Sequence, residues 1–485
     1  MTRSAPIAGG PRDILRLALP ALPVLAAEPL FLLVDTAVVG RLGGLPLASL
    51  AVAAVLFAQV TTQLTFLSYG TTARAARFYG AGRRSAAVAE GVQATWLALG
   101  VGLLVVVLGQ LAAAPLAGLL AGDPVIAEGA VSWLRIALLG APLVLVTLAG
   151  NGWMRGVQDT RRPMWIVIGG NLLSALLCPL LVHGAGDWAG WGLEGSAVAN
   201  VAGQAVAASL FLRALVVERR RAPAGDPVRF APDTAVLRSQ ATMGRDLIVR
   251  SLGFQACFLS ATAVAARFGS ESVAAHQIVL QLWVFQSLVL DAVAIAAQSL
   301  VGAALGGADG RHGADGGHGA DGGHGADGGH GADGGHGADG DRADTGPARS
   351  LAARVTRYGL VLGCGFGVLF AALYPVLPPV FTRDAAVLAA IPAAWWFFTA
   401  LQPIAGVVFA LDGVLLGAGD AAFLRTTTLL AALGGFLPMI WLSLLFGWGL
   451  AGIWTGLAAF MVVRLVAVGL RARSGRWAVP GEVRA

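Results

Sequence analysis

The sequence predicts an all-α polytopic membrane protein, with twelve transmembrane helices in two pseudo-symmetric six-helix bundles. Three observations carry that expectation. Hydrophobic residues make up 56% of the 485 residues and only 12% are charged, with a mean hydropathy of +0.74. A soluble chain of this length could not bury so much apolar surface, whereas a bilayer solvates it. Stretches of about 20 mostly apolar residues, the length that crosses a bilayer, recur along the chain. Finally, arginines cluster in the polar connections between those stretches. The net charge of +6 therefore does not point to nucleic acid, but to loops on one side of a membrane. All 33 basic residues are arginine, which reads as a coding bias.

The expected spans are 14–38, 45–72, 88–113, 127–150, 164–184, 193–216, 246–268, 273–304, 353–379, 387–416, 425–446 and 449–470. Arg3, Arg12 and Arg16 precede the first, as in a signal peptide. That run is long, contains Glu28 and Asp35, and lacks a clear small-residue cleavage site, so it is expected to remain as the first helix. The connections after even-numbered spans carry Arg74, Arg77, Arg83 and Arg84, then Arg155, Arg161 and Arg162, then the run from Arg219 to Arg245. The other side has Arg41, Arg267 and Arg383, with Asp123, Glu128, Asp187 and Glu194. This asymmetry predicts an inner (plasma) membrane protein with both termini cytoplasmic.

Residues 217–245 are polar and contain Pro223, Pro227 and Pro232, so they read as a cytoplasmic linker between a bundle at 1–216 and a second at 246–485. The halves echo each other: DTAVVGRLGGLPLASLAV from Asp35 matches ATAVAARFGSESVAAHQI from Ala261, with Thr36, Arg41 and Ala48 opposite Thr262, Arg267 and Ala274. A repeat with the same helix direction is an architecture of alternating-access carriers. At 307–346 the hexapeptide GADGGH recurs, spacing His312, His318, His324, His330 and His336 six residues apart. So much glycine cannot bury a core, and the tract is expected to be a disordered, dispensable cytoplasmic loop. Cys178, Cys257 and Cys364 lie far apart in apolar segments, in neither a disulfide nor a zinc pattern. No metal site or cofactor is expected.

An aspartate at the bilayer centre costs roughly 2.5–3.5 kcal/mol, so acids inside spans are the sharpest functional clues. Glu28 and Asp35, seven residues apart, share nearly one helix face, and Pro20, Pro23 and Pro29 are expected to break that helix. Such a helix suits cation binding or proton exchange. In the second half, Asp291 shares a span with Gln281, Gln286 and Gln298, of which Gln281 and Gln298 are read as nearer its face. Asp412 lies in another span, while Asp420 and Arg425 read as structural partners at a loop, and His276 as a packing residue. Gln63 is a further polar candidate for a cavity wall.

Four segments together resemble the multidrug and toxic compound extrusion (MATE) family, specifically its DinF-like branch. They are LALPAL at 17–22 running into EPLFLLVDTAVVGRLG at 28–43, NGWMRGVQDTRRP at 151–163, LDAVAIAAQSLVGAALG at 290–306 and LDGVLLGAGD at 411–420. The resemblance implies two six-helix bundles around a central cavity and alternating access driven by protons or sodium. It places the family's first-helix aspartate on Asp35 and its bending proline on Pro20. The fifth helix of that branch carries an asparagine and, four residues on, an aspartate before proline; here NLLSALLCP puts Ser174 and Cys178 at those positions, with Asn171 nearby. The implied function is secondary export of small drug-like, often cationic or amphiphilic molecules by a monomer in contact with membrane lipid. The coupling ion expected is H+, with Na+ as the alternative. Asp35 and Glu28 would couple; Gln63, Asn171, Ser174, Cys178, Gln281, Asp291 and Asp412 would line the cavity. A lipid-linked oligosaccharide flippase is the related alternative, but it would place basic residues inside first-bundle helices, and the arginines read as avoiding span centres. A membrane-embedded enzyme would need clustered nucleophiles that the sequence does not supply.

Overall fold

The computed structural model describes residues 10–221, 228–310 and 344–481. Among them, eleven helices are long and apolar enough to cross a membrane, and a bent pair makes the twelfth. In chain order they are α1 (Pro11–Gly40), α2 (Gly44–Gly80), α3 (Arg84–Ala121), α4 (Pro124–Leu139 with Ala141–Gly156), α5 (Arg161–His183) and α6 (Gly192–Arg220). The second six are α7 (Thr234–Phe268), α8 (Ser270–Gly310), α9 (Gly346–Leu373), α10 (Pro392–Gly417), α11 (Ala421–Phe446) and α12 (Gly449–Ser474).

Several helix ends follow local chemistry. Asp123 and Asp233 cap the first turns of α4 and α7 through their side chains, and glycines at positive φ, such as Gly122 and Gly475, end α3 and α12. The two pieces of α4 meet at 44° where Gly140 precedes Pro142. A π turn at Ala432–Phe436 widens α11 just before Pro438, which has no N–H to offer the ladder.

Three expectations about the chain's course are corrected. Pro20, Pro23 and Pro29 do not break α1, which is a continuous helix of 30 residues. Each proline forfeits a single backbone hydrogen bond, and packing against neighbouring helices holds the rest of the ladder. The linker is shorter than 217–245, because α6 runs on to Arg220 and α7 begins at Thr234. Its described part is pinned to the first half: Val228 is buried against Trp153 and Phe211, and Trp96 Nε1 donates to the Phe230 carbonyl at 2.8 Å. Likewise α8 continues helically to Gly310, past the expected loop start at 307. The histidines from His312 to His336 lie outside the described residues.

Each half has its own apolar core. Phe57, Trp133 and Leu138 centre one cluster of the first half, and Trp395, Phe398, Trp454 and Phe460 fill the second. A further cluster joins the halves, packing Leu17 and Ala21 of α1 with Ala296 and Leu300 of α8. It lies toward the arginine-rich end, where backbones touch directly. A Cβ added at Gly80 would collide with the Ala303 backbone, and one at Gly306 with that of Arg77. Arg74 of α2 pairs with Glu90 of α3 at 2.7 Å, and Ser239 and Gln240 of α7 bond the same pair.

Candidate transport cavity and carboxylate sites

Two polar sites lie inside the first half. Asp35 is 1% exposed. Its Oδ1 accepts a hydrogen bond from Cys178 Sγ at 3.4 Å, and Ser196 of α6 also bonds the carboxylate. Ser196 Oγ in turn accepts from Trp133 Nε1 at 2.8 Å. Among the described residues no arginine or histidine pairs with Asp35.

Glu28 faces a separate small cavity of about 90 Å³, which it shares with Thr147, Asn151, Asn171 and Gln204. The first and fifth spans pack side by side in the same direction, since two pairs of residues at matching positions meet. Glu28 is therefore level with Asn171, and seven residues further along both helices Asp35 is level with Cys178. The shared face read from the sequence is present, but the acids stand roughly 10 Å apart along the helix, each with its own partners. Ser174 joins neither set; its hydroxyl donates to the Gly170 carbonyl at 3.2 Å, beside Gly203.

A larger cavity, about 520 Å³, lies in the second half and is closed on one side by Gln63, Phe66 and Tyr69 of α2. A stripe on α8, at Leu280, Val284, Ser287, Asp291, Ala294 and Gln298, forms one wall. Phe254 and Phe258 of α7 and Phe460 of α12 supply aromatic surface. Gln63 Nε2 donates to Gln255 Oε1 at 3.1 Å, and Gln298 Nε2 to the Tyr69 carbonyl at 2.6 Å, so both expected glutamines tie the halves together.

Gln281 is corrected: it is exposed and does not line the cavity. Ten residues turn it about 80° away from Asp291, off the stripe that Leu280 and Val284 continue. Gln286 is fully buried, with no partner for either amide atom among the described residues.

The arginines are the largest departure from the sequence reading. They do not all avoid span centres: Arg250 lies in the middle of α7 and Arg464 near the middle of α12, and both reach the cavity. Asp412 Oδ2 accepts from Arg250 Nη2 at 2.5 Å and also from Arg464 Nη2. Both guanidiniums lie over the Phe254 ring, at 5.6 and 5.0 Å. Burying either arginine alone would be prohibitive, and Asp412 supplies the counter-charge. Asp291, on the same cavity wall, forms no hydrogen bond or ion pair among the described residues, although Arg250, Asp412 and Arg155 are its electrostatic neighbours.

Two smaller pairings also differ. Asp420 bonds Arg471 Nε at 2.7 Å, while Arg425 pairs with Asp246 at 2.6 Å, so Asp420 and Arg425 are not each other's partners. His276 does pack as expected, edge-on to Trp454 at 5.9 Å.

Comparison with known proteins agrees with this fold. The family model MatE matches residues 20–180. The chain is 30% identical to Protein DETOXIFICATION 44, chloroplastic, of Arabidopsis thaliana, over 96% of this chain and 83% of that protein. It is 33% identical to DNA damage-inducible protein F of Escherichia coli, over 61% of this chain and 63% of that one. Among solved structures, a MATE in the bent conformation superposes with a TM-score of 0.79 at 19% identity, covering 96% of this chain and 95% of the other. A MOP superfamily transporter from Pyrococcus furiosus gives 0.77, also at 19% identity, with 96% and 95% covered. For that protein a reversed polarity of the binding pocket is described as suggesting a different function.

Proposed function

The chain belongs to the MATE family, and from that premise we propose that it is a secondary active exporter, expelling small amphiphilic organic molecules in exchange for H+. The observation that carries the proposal is Asp35, a carboxylate buried within a membrane-spanning helix with only a thiol and a hydroxyl for company. An acid without a counter-charge at that depth must take up a proton or a cation to be accommodated. Sodium needs several oxygen ligands, and Cys178 offers sulfur where an oxygen would serve, which favours the proton.

The substrate site in this reading is the larger cavity, where aromatic faces take an apolar body and Asp291 takes a positive charge. The arginine-rich end, sealed by Gly80, Gly306 and their partners, is read as the cytoplasmic side, so this conformation is closed toward the cytoplasm. A flippase would need basic residues facing the cavity from the first half. Among the described residues the arginines lining it are Arg250 and Arg464, both from the second half and both held by Asp412. That favours the exporter.

Purified protein in proteoliposomes decides the matter. An imposed proton gradient should drive transport of an amphiphilic fluorescent cation, and transport should in turn move protons. Transport that persists with no ion gradient, or that follows sodium alone, would refute the coupling.

A further inference from the structure

We propose that Arg250 and Arg464 form a carboxylate-binding subsite, so that the cavity selects small zwitterionic amphiphiles with the cationic end toward Asp291. This rests on the export reading above and specifies its substrate. The geometry around Asp412 points to it. Both guanidiniums converge on one oxygen, Oδ2. The other oxygen, Oδ1, is buried without a partner, as are Nε of Arg250 and Nε of Arg464.

The same molecule shows what a structural clamp looks like. Arg74 donates from Nε and Nη2 to the two oxygens of Glu90, at 2.8 and 2.7 Å, and Gln240 adds a third bond. There the fork of the guanidinium is matched to the carboxylate. Around Asp412 it is not, and two forks share a single acceptor in a cavity wall. Asp412 thus neutralises both arginines through one oxygen, and Arg250, whose side chain is 15% exposed, keeps guanidinium surface in the cavity lining for another carboxylate.

The remaining lining sorts ligands by charge. Asp291 stands unpaired in the same cavity lining, and the two guanidiniums lie over the Phe254 and Phe460 rings. A purely cationic ligand leaves the arginine donors unused, and a purely anionic one meets Asp291. A ligand carrying both groups satisfies both.

A matched dye pair tests this: rhodamine B, with a free carboxylate beside its cationic ring system, and its ethyl ester. Binding to the purified full chain is read by fluorescence anisotropy. Wild type should prefer the free acid by about tenfold or more, the scale of a charge-assisted hydrogen bond. Asp412→Asn removes the internal competitor and should tighten binding of the acid but not of the ester. Arg250→Gln should abolish the preference. Equal affinities in wild type, or an Asp412→Asn protein that loses the preference, overturn the subsite. The wild-type dye comparison decides the case alone if a variant fails to fold. Proton-driven transport of the ester in proteoliposomes reads the export proposal separately: an exported ester with no acid preference removes the subsite and leaves the exporter standing.

Discussion

Arg77, in the first half of the chain, donates from Nη1 to the carbonyl of Gly481, near the opposite terminus, at 2.9 Å. The same guanidinium bonds the carbonyls of Val479 at 3.2 Å and Ala418 at 2.8 Å, and Gly481 N donates to Leu305 O. Trp477, buried beneath the arginine-rich end, anchors the segment. A stretch beyond the last span thus fastens the two halves where their backbones touch.

That latch should control opening at the arginine-rich end. Removing charged donors to carbonyls costs about 1.5–3 kcal/mol per bond, enough to shift a two-state equilibrium about tenfold or more. With a cysteine introduced at Ser299, which lies beneath the seal, Arg77→Ala should raise maleimide labelling several-fold from the arginine-rich side. An unchanged labelling rate would show that the tail does not hold the gate.

Glycines set how closely the helices of the second half approach. A Cβ at Gly406 would fall on the Gly359 carbonyl, joining α9 and α10 along a seam that Gly363 extends toward Gln402. Gly359→Val should lower the unfolding temperature in detergent and cost about 1–3 kcal/mol, as overpacking does. Gly365→Ala, on the open face of α9 with nothing within 4 Å, is the control and should be neutral. Equal effects of the two would remove the seam from the account.

The Arg74–Glu90 pair should be structural and not part of transport. Both side chains are largely buried, and Ser239 and Gln240 complete their hydrogen bonds across the halves. Glu90→Ala strands a buried guanidinium and should destabilise the protein by about 3–5 kcal/mol. Thermal unfolding followed by size-exclusion chromatography measures this, and a fully stable Glu90→Ala protein would contradict it.

The spans were legible because hydropathy reports burial in lipid directly, and all twelve overlap the helices found. Asp35 and Asp412 were legible for the converse reason, since an acid in an apolar run stands out. What the sequence hid was pairing. Arg250 lies 162 residues from Asp412, and Arg464 lies 52 residues from it, so neither spacing carries helical periodicity and each charge reads only as a cost. Gln281 was misplaced because a glutamine was credited to a face 80° away, a margin that depends on where the cavity stripe falls. The prolines of α1 misled because their effect depends on the packing around them, and the residues alone do not state that packing.

Coupling is the decisive question, and the level of Asp35 with Cys178 shapes the test. If Asp35 exchanges the proton, Asp35→Asn holds the site in its protonated charge state. Its amide can still accept from Cys178 and Ser196, so the protein should fold and bind substrate, yet lose proton-driven uptake into inverted vesicles. Cys178→Ala removes one weak donor and should cost less than about 1.5 kcal/mol, leaving transport measurable. Asp291→Asn should weaken binding of cationic substrates, seen as a raised KM, while transport still moves protons. Glu28→Gln alters a different cavity, two helical turns away from Asp35, and should have an intermediate effect at most. Each variant would be scored by substrate uptake and by the proton flux that accompanies it. Full coupling in Asp35→Asn together with loss in Asp291→Asn would move the coupling site to the second half, where Arg250, Asp412 and Arg464 stand ready to respond to a change of charge at Asp291.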